Sequence, residues 1–288
     1  MNIGYACLNS SIPYKMKTFR LKSYSDELIR ETVANNIEYT RQALLFNIEH
    51  SINFFRVSSS IVPFASHPIC TVDWQKIFAD DFKQLGLLVK KHHLRISMHP
   101  DQFVVLNSKS ENVVENAKKE LLYHAHVLDL MKLDTTHKIQ IHVGGVFGDK
   151  GESVKRFIKT YNMLPKSITS RLVIENDDRL FSLKDCLEIN NKISIPILFD
   201  IFHHQCLNNG EDADKAFEQA AQTWQKKDGK PMMDYSSQEK GMRMGRHSES
   251  IDINDFKKYS ENMKRYNFDV MLEVKDKEKS VLKAIEVL

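Results

Sequence analysis

The chain has 288 residues, of which 42% are hydrophobic and 27% charged, with a formal net charge of +3. This composition suits a folded protein with a substantial core and excludes a low-complexity chain. The slight positive charge permits a nucleic-acid partner without demanding one, and no apolar run approaches the roughly 20 residues of a helical membrane span.

In chain order, the first strand-like run is Ile3–Cys7. A helix start follows at Ser25, an N-cap residue with Asp26 and Glu27 at the positive helix end. Leu28, Val33, Ile37, Leu44, Leu45 and Ile48 then set an apolar stripe to about Glu49. Phe54–Ser58 reads as the second strand and Ser58–Asp73, with its PFASHP segment, as a long loop. Asp73–Lys91 repeats the helical spacing through Ile77, Phe82, Leu85 and Val89. Leu94–Met98 is the third strand and runs into His99. A helix over Asn112–Leu133 leads to the fourth strand, Ile139–Val143, which carries His142. A helix over Glu152–Met163 precedes Leu172–Ile174, which runs into Glu175. After a helix at Leu183–Asn190, Ile195–Phe199 ends on Asp200, with His203 three residues on. A helix at Ala213–Trp224 leads to Met232–Tyr235, which holds Asp234. A helix at Asn254–Tyr266 leads to Val270–Val274, which holds Glu273, and Glu278–Val287 closes the pattern.

Eight strands alternating with eight helices predict an α/β fold, a single (β/α)₈ barrel occupying residues 1–288 as one domain. An open doubly wound sheet is the competitor. Its usual signatures, a G-x-G-x-x-G after the first strand or a G-x-x-x-x-G-K-[ST] anywhere, do not occur. No nucleotide cofactor is therefore expected. The four cysteines, Cys7, Cys70, Cys186 and Cys206, form no C-x-x-C pair and read as reduced thiols. The N-terminus lacks the charge and apolar core of a signal peptide, so a cytoplasmic protein is expected.

A barrel of parallel strands brings the carboxyl ends of all strands to one rim. A lone histidine at a strand end is more often structural than ligating. Here, however, four consecutive strand ends offer His99, His142, Glu175 and Asp200, with His203 one turn further and Asp234 and Glu273 on later strands. Buried carboxylates need compensation, and this mixture of oxygen and nitrogen donors suits divalent cations of the Mn²⁺ or Zn²⁺ type. Several closely spaced ions suit phosphate-ester cleavage. His247, in the basic loop assigned to Lys226–Ser250, is by itself an ordinary loop histidine. That loop, together with Lys15, Lys17, Arg20 and Lys22, offers charge that either meets a phosphate backbone or is simply solvated. The GGVFGDKGES stretch after His142 reads as a strand-to-helix turn in preference to a phosphate cradle. Tyr5, Asn9, Gln102 and Phe103 leave strand ends and offer amide and aromatic groups that suit contact with unstacked bases.

Taken together, GYACLN, VPFASHP, SMHPDQF, IHVGG with FGDKG, IENDDR, FDIFHH, YSSQ and LEVKDKE resemble the UV damage endonuclease family along nearly the whole chain. That family is similar in fold to endonuclease IV and the xylose-isomerase-like barrels. The resemblance implies a metal-dependent endonuclease, and a monomer with no membrane partner is expected. It would cut duplex DNA immediately 5′ of cyclobutane dimers and 6-4 photoproducts and leave a 3′-hydroxyl and a 5′-phosphate. It also implies two or three divalent ions, Mn²⁺ before Zn²⁺ or Mg²⁺. His99, His142 and Glu175 would hold one. Glu175 would bridge to a second shared with Asp200, Asp234 and Glu273, and His203 and His247 would hold a third. Glu175, His99, His142, Asp200 and Glu273 would carry catalysis. Tyr5, Asn9, His67, Gln102 and Phe103 would face the lesion, with Arg243 and Arg246 on the DNA backbone. The segment reading Lys-x-His in some relatives is Met232, Met233, Asp234 here, and a thioether cannot take the carboxylate modification of a lysine. An abasic-site endonuclease, a sugar isomerase on the same barrel and a non-catalytic lesion-binding module are the alternatives.

Overall fold

Eight short runs of apolar and β-branched residues form the wall of a closed parallel barrel. The structure, a computed structural model, describes Met1–Leu288. The strands are β1 (Asn2–Ala6), β2 (Phe54–Val57), β3 (Arg95–Met98), β4 (Lys138–His142), β5 (Leu172–Glu175), β6 (Ile197–Asp200), β7 (Met232–Tyr235) and β8 (Asp269–Leu272). Each pairs with the next in chain order, and β8 returns to β1 with Asn2 opposite Asp269 and Tyr5 opposite Leu272. This is the predicted (β/α)₈ barrel.

The helices are α1 (Asp26–Glu49), α2 (Trp74–Ile77), α3 (Ala79–Lys91), α4 (Glu111–Leu130), α5 (Lys150–Tyr161), α6 (Lys166–Thr169), α7 (Leu183–Ile193), α8 (Ile201–Cys206), α9 (Ala213–Ala221), α10 (Ile253–Met263) and α11 (Glu278–Ile285). Ser25 Oγ accepts from Leu28 N at 3.1 Å, so α1 starts where its cap residue predicts. Ile29, Val33, Ile37 and Leu44 are buried, whereas Leu45 is exposed. The helix expected over Asp73–Lys91 breaks at Phe78, which joins α2 to α3 with a non-helical φ/ψ. Two short helices, α6 and α8, lie outside the predicted pattern because neither is long enough to show a period. None of the helices is long and apolar enough to cross a membrane.

Alternate residues of each strand face opposite sides of the wall. One set packs against the helices and builds the large core. The other enters the barrel, where Ala6, Phe54, Val173, Leu198, Met232 and Met271 form a separate apolar layer. Below it, at the amino ends of the strands, lies a charged floor. Arg95 donates to Asp269 Oδ2 at 2.8 Å and to Lys230 O at 2.7 Å, and Lys138 Nζ reaches Asp228 Oδ1 at 2.7 Å. Above it, at the carboxyl ends, lies a polar layer that carries the site. Lys226, Lys227 and Lys230 precede β7 and so belong to the floor, not to the rim loop where a single Lys226–Ser250 segment would put them. Only the part after Tyr235 is a rim loop, closed on itself by an antiparallel bridge between Gln238 and His247.

Two buried histidines outside the donor groups, His137 and His124, make the fold acid-sensitive. His137 Nδ1 accepts from Ile96 N at 3.0 Å, a bond that protonation of that nitrogen would destroy. Burial lowers His137, with the Asp134 carboxylate opposing, to about 4, and burial likewise lowers His124 to about 4. Both folded values lie below that of the unfolded chain, so the unfolded state binds more protons between about pH 6.5 and pH 4. The stabilisation is complete above that window and fades as pH falls through it, by about 1.4 kcal/mol per pH unit for each histidine. Urea titrations with a chelator present are expected to show the slope of His137→Gln smaller than that of wild type by about 1.4 kcal/mol per pH unit across this window. An unchanged slope in the variant would exclude His137 as a source.

Candidate metal centre

Six strand ends deliver the polar layer, and each delivers it by continuing an inward-facing alternation. His142 is two residues after Gln140 on β4, Asp200 follows Leu198 on β6, and Asp234 follows Met232 on β7. Asn176, just past β5, clamps two ends together. Its Nδ2 donates to Asp200 O at 2.9 Å and its Oδ1 accepts from Asp200 N at 3.0 Å. Asp200 is also the N-cap of α8, accepting from His203 N at 2.7 Å, so the D-x-x-H spacing becomes one capped helical turn.

Three groups of donors lie with their ligand atoms within 4.8 Å of one another: His99, His142 and Glu175; Glu175, Asp200 and His203; Asp200, Asp234 and Glu273. Glu175 Oε2 is 3.9 Å from His99 Nε2, and its Oε1 is 4.0 Å from His142 Nε2 and 3.1 Å from His203 Nδ1. Ligands that share an ion at about 2.1 Å stand about 3 to 4 Å apart, so the spacing of Glu175 to His99 and His142 fits a divalent metal site. Asp200 Oδ2 and His142 Nδ1 are buried without any hydrogen-bond partner. Native interiors rarely leave such atoms unsatisfied, and a cation at the rim would satisfy the carboxylate. His203 Nδ1 lies 3.0 Å from Asn176 O and His247 Nδ1 2.6 Å from Glu273 O. A carbonyl only accepts, so in both rings Nδ1 carries a hydrogen and Nε2 is the nitrogen left for a metal. His247 thus reaches the cluster's edge, with its ring edge-on to Phe202 at 5.1 Å.

The protonation states reflect the crowding. Burial lowers His99 to about 3, outweighing the Glu175 carboxylate, and keeps it neutral. For His203, burial is outweighed by the Asp200 and Glu175 carboxylates, which raise it to about 11. Burial raises Asp200 to about 7 against the pull of His203. Glu273 falls to about 2 because Arg56, beside it, overcomes burial. The shifts at His203 and Asp200 place protons where a cation would otherwise be held, whereas those at His99 and Glu273 keep the donor free of one.

Two residues absent from the predicted set complete the layer. Arg56, on β2 and 3% exposed, directs its guanidinium into the barrel. It donates to Asp234 Oδ1 at 2.9 Å and Oδ2 at 2.8 Å, to Gln140 Oε1 at 2.8 Å, and to Glu273 Oε1. Gln140 Nε2 in turn donates to Glu175 Oε2 at 2.8 Å and Asp234 Oδ2 at 2.7 Å. A signal for both exists: an arginine inside FFRV and a glutamine inside KIQIH are polar residues at inward positions of otherwise apolar strands. Met232 is buried in the apolar layer below Asp234 and adds no donor.

Around the rim, Gln102 and Phe103 occupy a turn, and Phe103 is 61% exposed. With Phe19, Phe64, His67 and Tyr123, Phe103 lines a cleft of about 580 Å³, while His142, His203 and Gln102 border a second of about 400 Å³. Tyr5 and Asn9 are placed otherwise than expected. Tyr5 is fully buried beneath α1, donating to Asn47 Oδ1 at 2.8 Å and accepting from Asn9 Nδ2 at 2.7 Å, so as placed neither offers a surface to a ligand. Arg246 pairs with Glu239 at 2.7 Å, whereas Arg243 is exposed. The GGVFGDKGES turn is shaped by protein groups. Gly144 has φ +112°, and Asn107 accepts from Gly145 N at 3.2 Å and donates to Gly145 O at 2.9 Å. A Cβ on Gly144 would lie 2.4 Å from Asn107 Oδ1, so only glycine fits.

The sequence matches the family profile described as UV-endonuclease UvdE over residues 1–288. A UV DNA damage endonuclease of Clostridium perfringens is 39% identical over all of this chain and 71% of the relative. A putative UV-damage endonuclease of Acanthamoeba polyphaga mimivirus is 35% identical over 98% of this chain and 90% of its own length. Among solved structures, that of SacUVDE superposes with a TM-score of 0.95 at 43% identity, covering 100% of this chain and 98% of that one. Endonuclease IV from Thermus thermophilus shares the fold, with a TM-score of 0.59 at 12% identity over 87% of this chain and 93% of its own.

Proposed function

The chain belongs to the UV-endonuclease UvdE family, and on that footing we propose that it nicks duplex DNA immediately 5′ of cyclobutane pyrimidine dimers and 6-4 photoproducts, leaving a 3′-hydroxyl and a 5′-phosphate. The observation that carries this reading is the convergence of His99, His142, Glu175, Asp200 and His203 at one rim, with buried donor atoms that make no hydrogen bond. Phosphodiesters are cleaved by such centres because divalent ions lower the pKa of water and offset charge on the phosphoryl oxygens. Mn²⁺ suits this donor set best, since its imidazole and carboxylate ligands include no thiolate. Around the centre, His99, His142 and Glu175 would hold one ion and Glu175, Asp200 and His203 the next, while Asn176 and Gln140 hold Asp200 and Glu175 in place. His247 borders the Glu273 side. The site draws all its residues from one chain, which suits a monomer acting as one domain.

The lesion would enter beside the aromatic cleft. Photoproducts weaken stacking and pairing, so unstacking costs least there. Phe103 offers a stacking face, Gln102 an amide for unpaired base edges, and Phe19, Phe64 and His67 a lined recess. Arg243, with Lys15, Lys17, Arg20 and Lys22, lies on rim loops where a phosphate backbone would run. The test is nicking of UV-irradiated against unirradiated plasmid with Mn²⁺ and with a chelator. Cleavage confined to irradiated DNA and lost on chelation is expected; cleavage that ignores irradiation, or survives chelation, would refute the reading. Gln102→Ala is expected to lower the irradiated-to-intact nicking ratio about tenfold, a loss of roughly 1–2 kcal/mol of discrimination, with an unchanged melting temperature. An unaltered ratio would remove Gln102 from lesion recognition.

A further inference from the structure

Within the third donor group, Asp234 accepts hydrogen bonds at both oxygens. Oδ1 accepts from Arg56, and Oδ2 accepts from Arg56 and Gln140. Glu273 gives Oε1 to the same guanidinium. Arg56 is held from three sides by residues of β4, β7 and the segment just after β8, and it enters from β2, so it cannot leave without unpairing the fully buried Asp234 and Gln140. An arginine does not lose its proton in a protein, and it presents a planar fork that matches a carboxylate. Asp200 differs: its Oδ2 accepts no hydrogen bond and has only His203 Nδ1 nearby, at 3.5 Å.

We propose that the Arg56 guanidinium is a permanent internal cation standing where Asp234 and Glu273 would otherwise help to hold a further ion, so that this barrel takes two divalent ions and Asp234 ligates neither. The ions lie on the His99–His142–Glu175 and Glu175–Asp200–His203 sides. Charge counting agrees. Glu175, Asp200, Asp234 and Glu273 carry four negative charges, and Arg56 with two divalent ions carries five positive ones, a near balance before a phosphodiester arrives. A third divalent ion would add two positive charges within the same enclosed layer, next to a guanidinium that cannot yield its proton. The inference rests on the metal-dependent reading above and narrows it.

The test is the ion count and position in protein loaded with Mn²⁺, by elemental analysis and by anomalous diffraction. Wild type is expected to hold two ions per chain, with none within coordinating distance, about 2.6 Å, of Asp234. Asp234→Asn is expected to keep two, since it removes no ligand. Arg56→Met is expected to admit a third at Asp234 and Glu273, while Arg56→Lys keeps two. Should Arg56→Met fail to fold, Asp234→Asn still decides the matter. Three ions in wild type with one on Asp234, or loss of an ion in Asp234→Asn, would overturn the inference and leave the nuclease reading intact. No bound ion in wild type would overturn both.

Discussion

Glu175→Gln is expected to lower the nicking rate on irradiated DNA by at least about a thousandfold, a loss of roughly 4 kcal/mol of transition-state stabilisation. Glu175 belongs to two of the three donor groups and faces His99, His142 and His203 from one buried carboxylate. The amide is nearly isosteric but has one weak acceptor where there were two charged ones. Its NH₂ would face either the Gln140 amide, which now donates to Oε2, or the ring of His203. Fold and Arg56 network stay in place, so the change isolates the carboxylate. Rates at saturating Mn²⁺, measured with metal content, provide the check. A wild-type rate at full metal content would exclude Glu175 as the shared ligand.

Arg95→Met is expected to cost about 3 to 5 kcal/mol of stability while leaving the nicking rate below the melting temperature unchanged. Arg95 lies in the floor, at the far end of the barrel from the rim. It pairs with buried Asp269 at 2.8 Å, donates to Lys230 O and Thr136 O, and sits over Phe54 and Trp224 at 5.9 and 5.6 Å. Methionine fills much of the volume but leaves Asp269 charged and buried, with a hydrogen bond from Asn2 N at 3.0 Å and its only cation, Lys230, at 4.0 Å. Breaking one side of a buried pair carries that cost, whereas replacing both sides by apolar groups recovers much of it. Arg95→Met with Asp269→Leu is therefore expected to melt above the single variant. For a chain of this size the single change corresponds to a drop of about 6 to 20 °C. A drop under about 2 °C would mean the floor pair contributes nothing net.

Both experiments probe polar residues placed inside a barrel by strand alternation, and they act at opposite ends because the apolar layer of Phe54, Val173, Leu198, Met232 and Met271 separates them. That separation allows a rim crowded with carboxylates. The folding energy comes from the wall, the helix layer and the floor, and the site can remain electrostatically unsatisfied until a cation arrives.

The amino-acid sequence by itself determined the number and order of the strands, the helices with clear caps, and the donor residues His99, His142, Glu175, Asp200, His203, Asp234 and Glu273 at strand ends. These are local properties: apolar runs of strand length, Ser25 before two acids, and a polar residue closing each run. What the tertiary structure decided is which groups those residues meet. Asp234 reads from its own strand as a ligand, yet across the barrel it lies against Arg56, 178 positions away. Tyr5 reads as a rim residue, yet its side of the strand faces α1. Lys226 and Arg246 read as one basic loop, yet β7 runs between them and sends them to opposite ends of the barrel. In each case the deciding quantity is a contact across the closed sheet, and closure is a property of eight strands together that none of them carries alone.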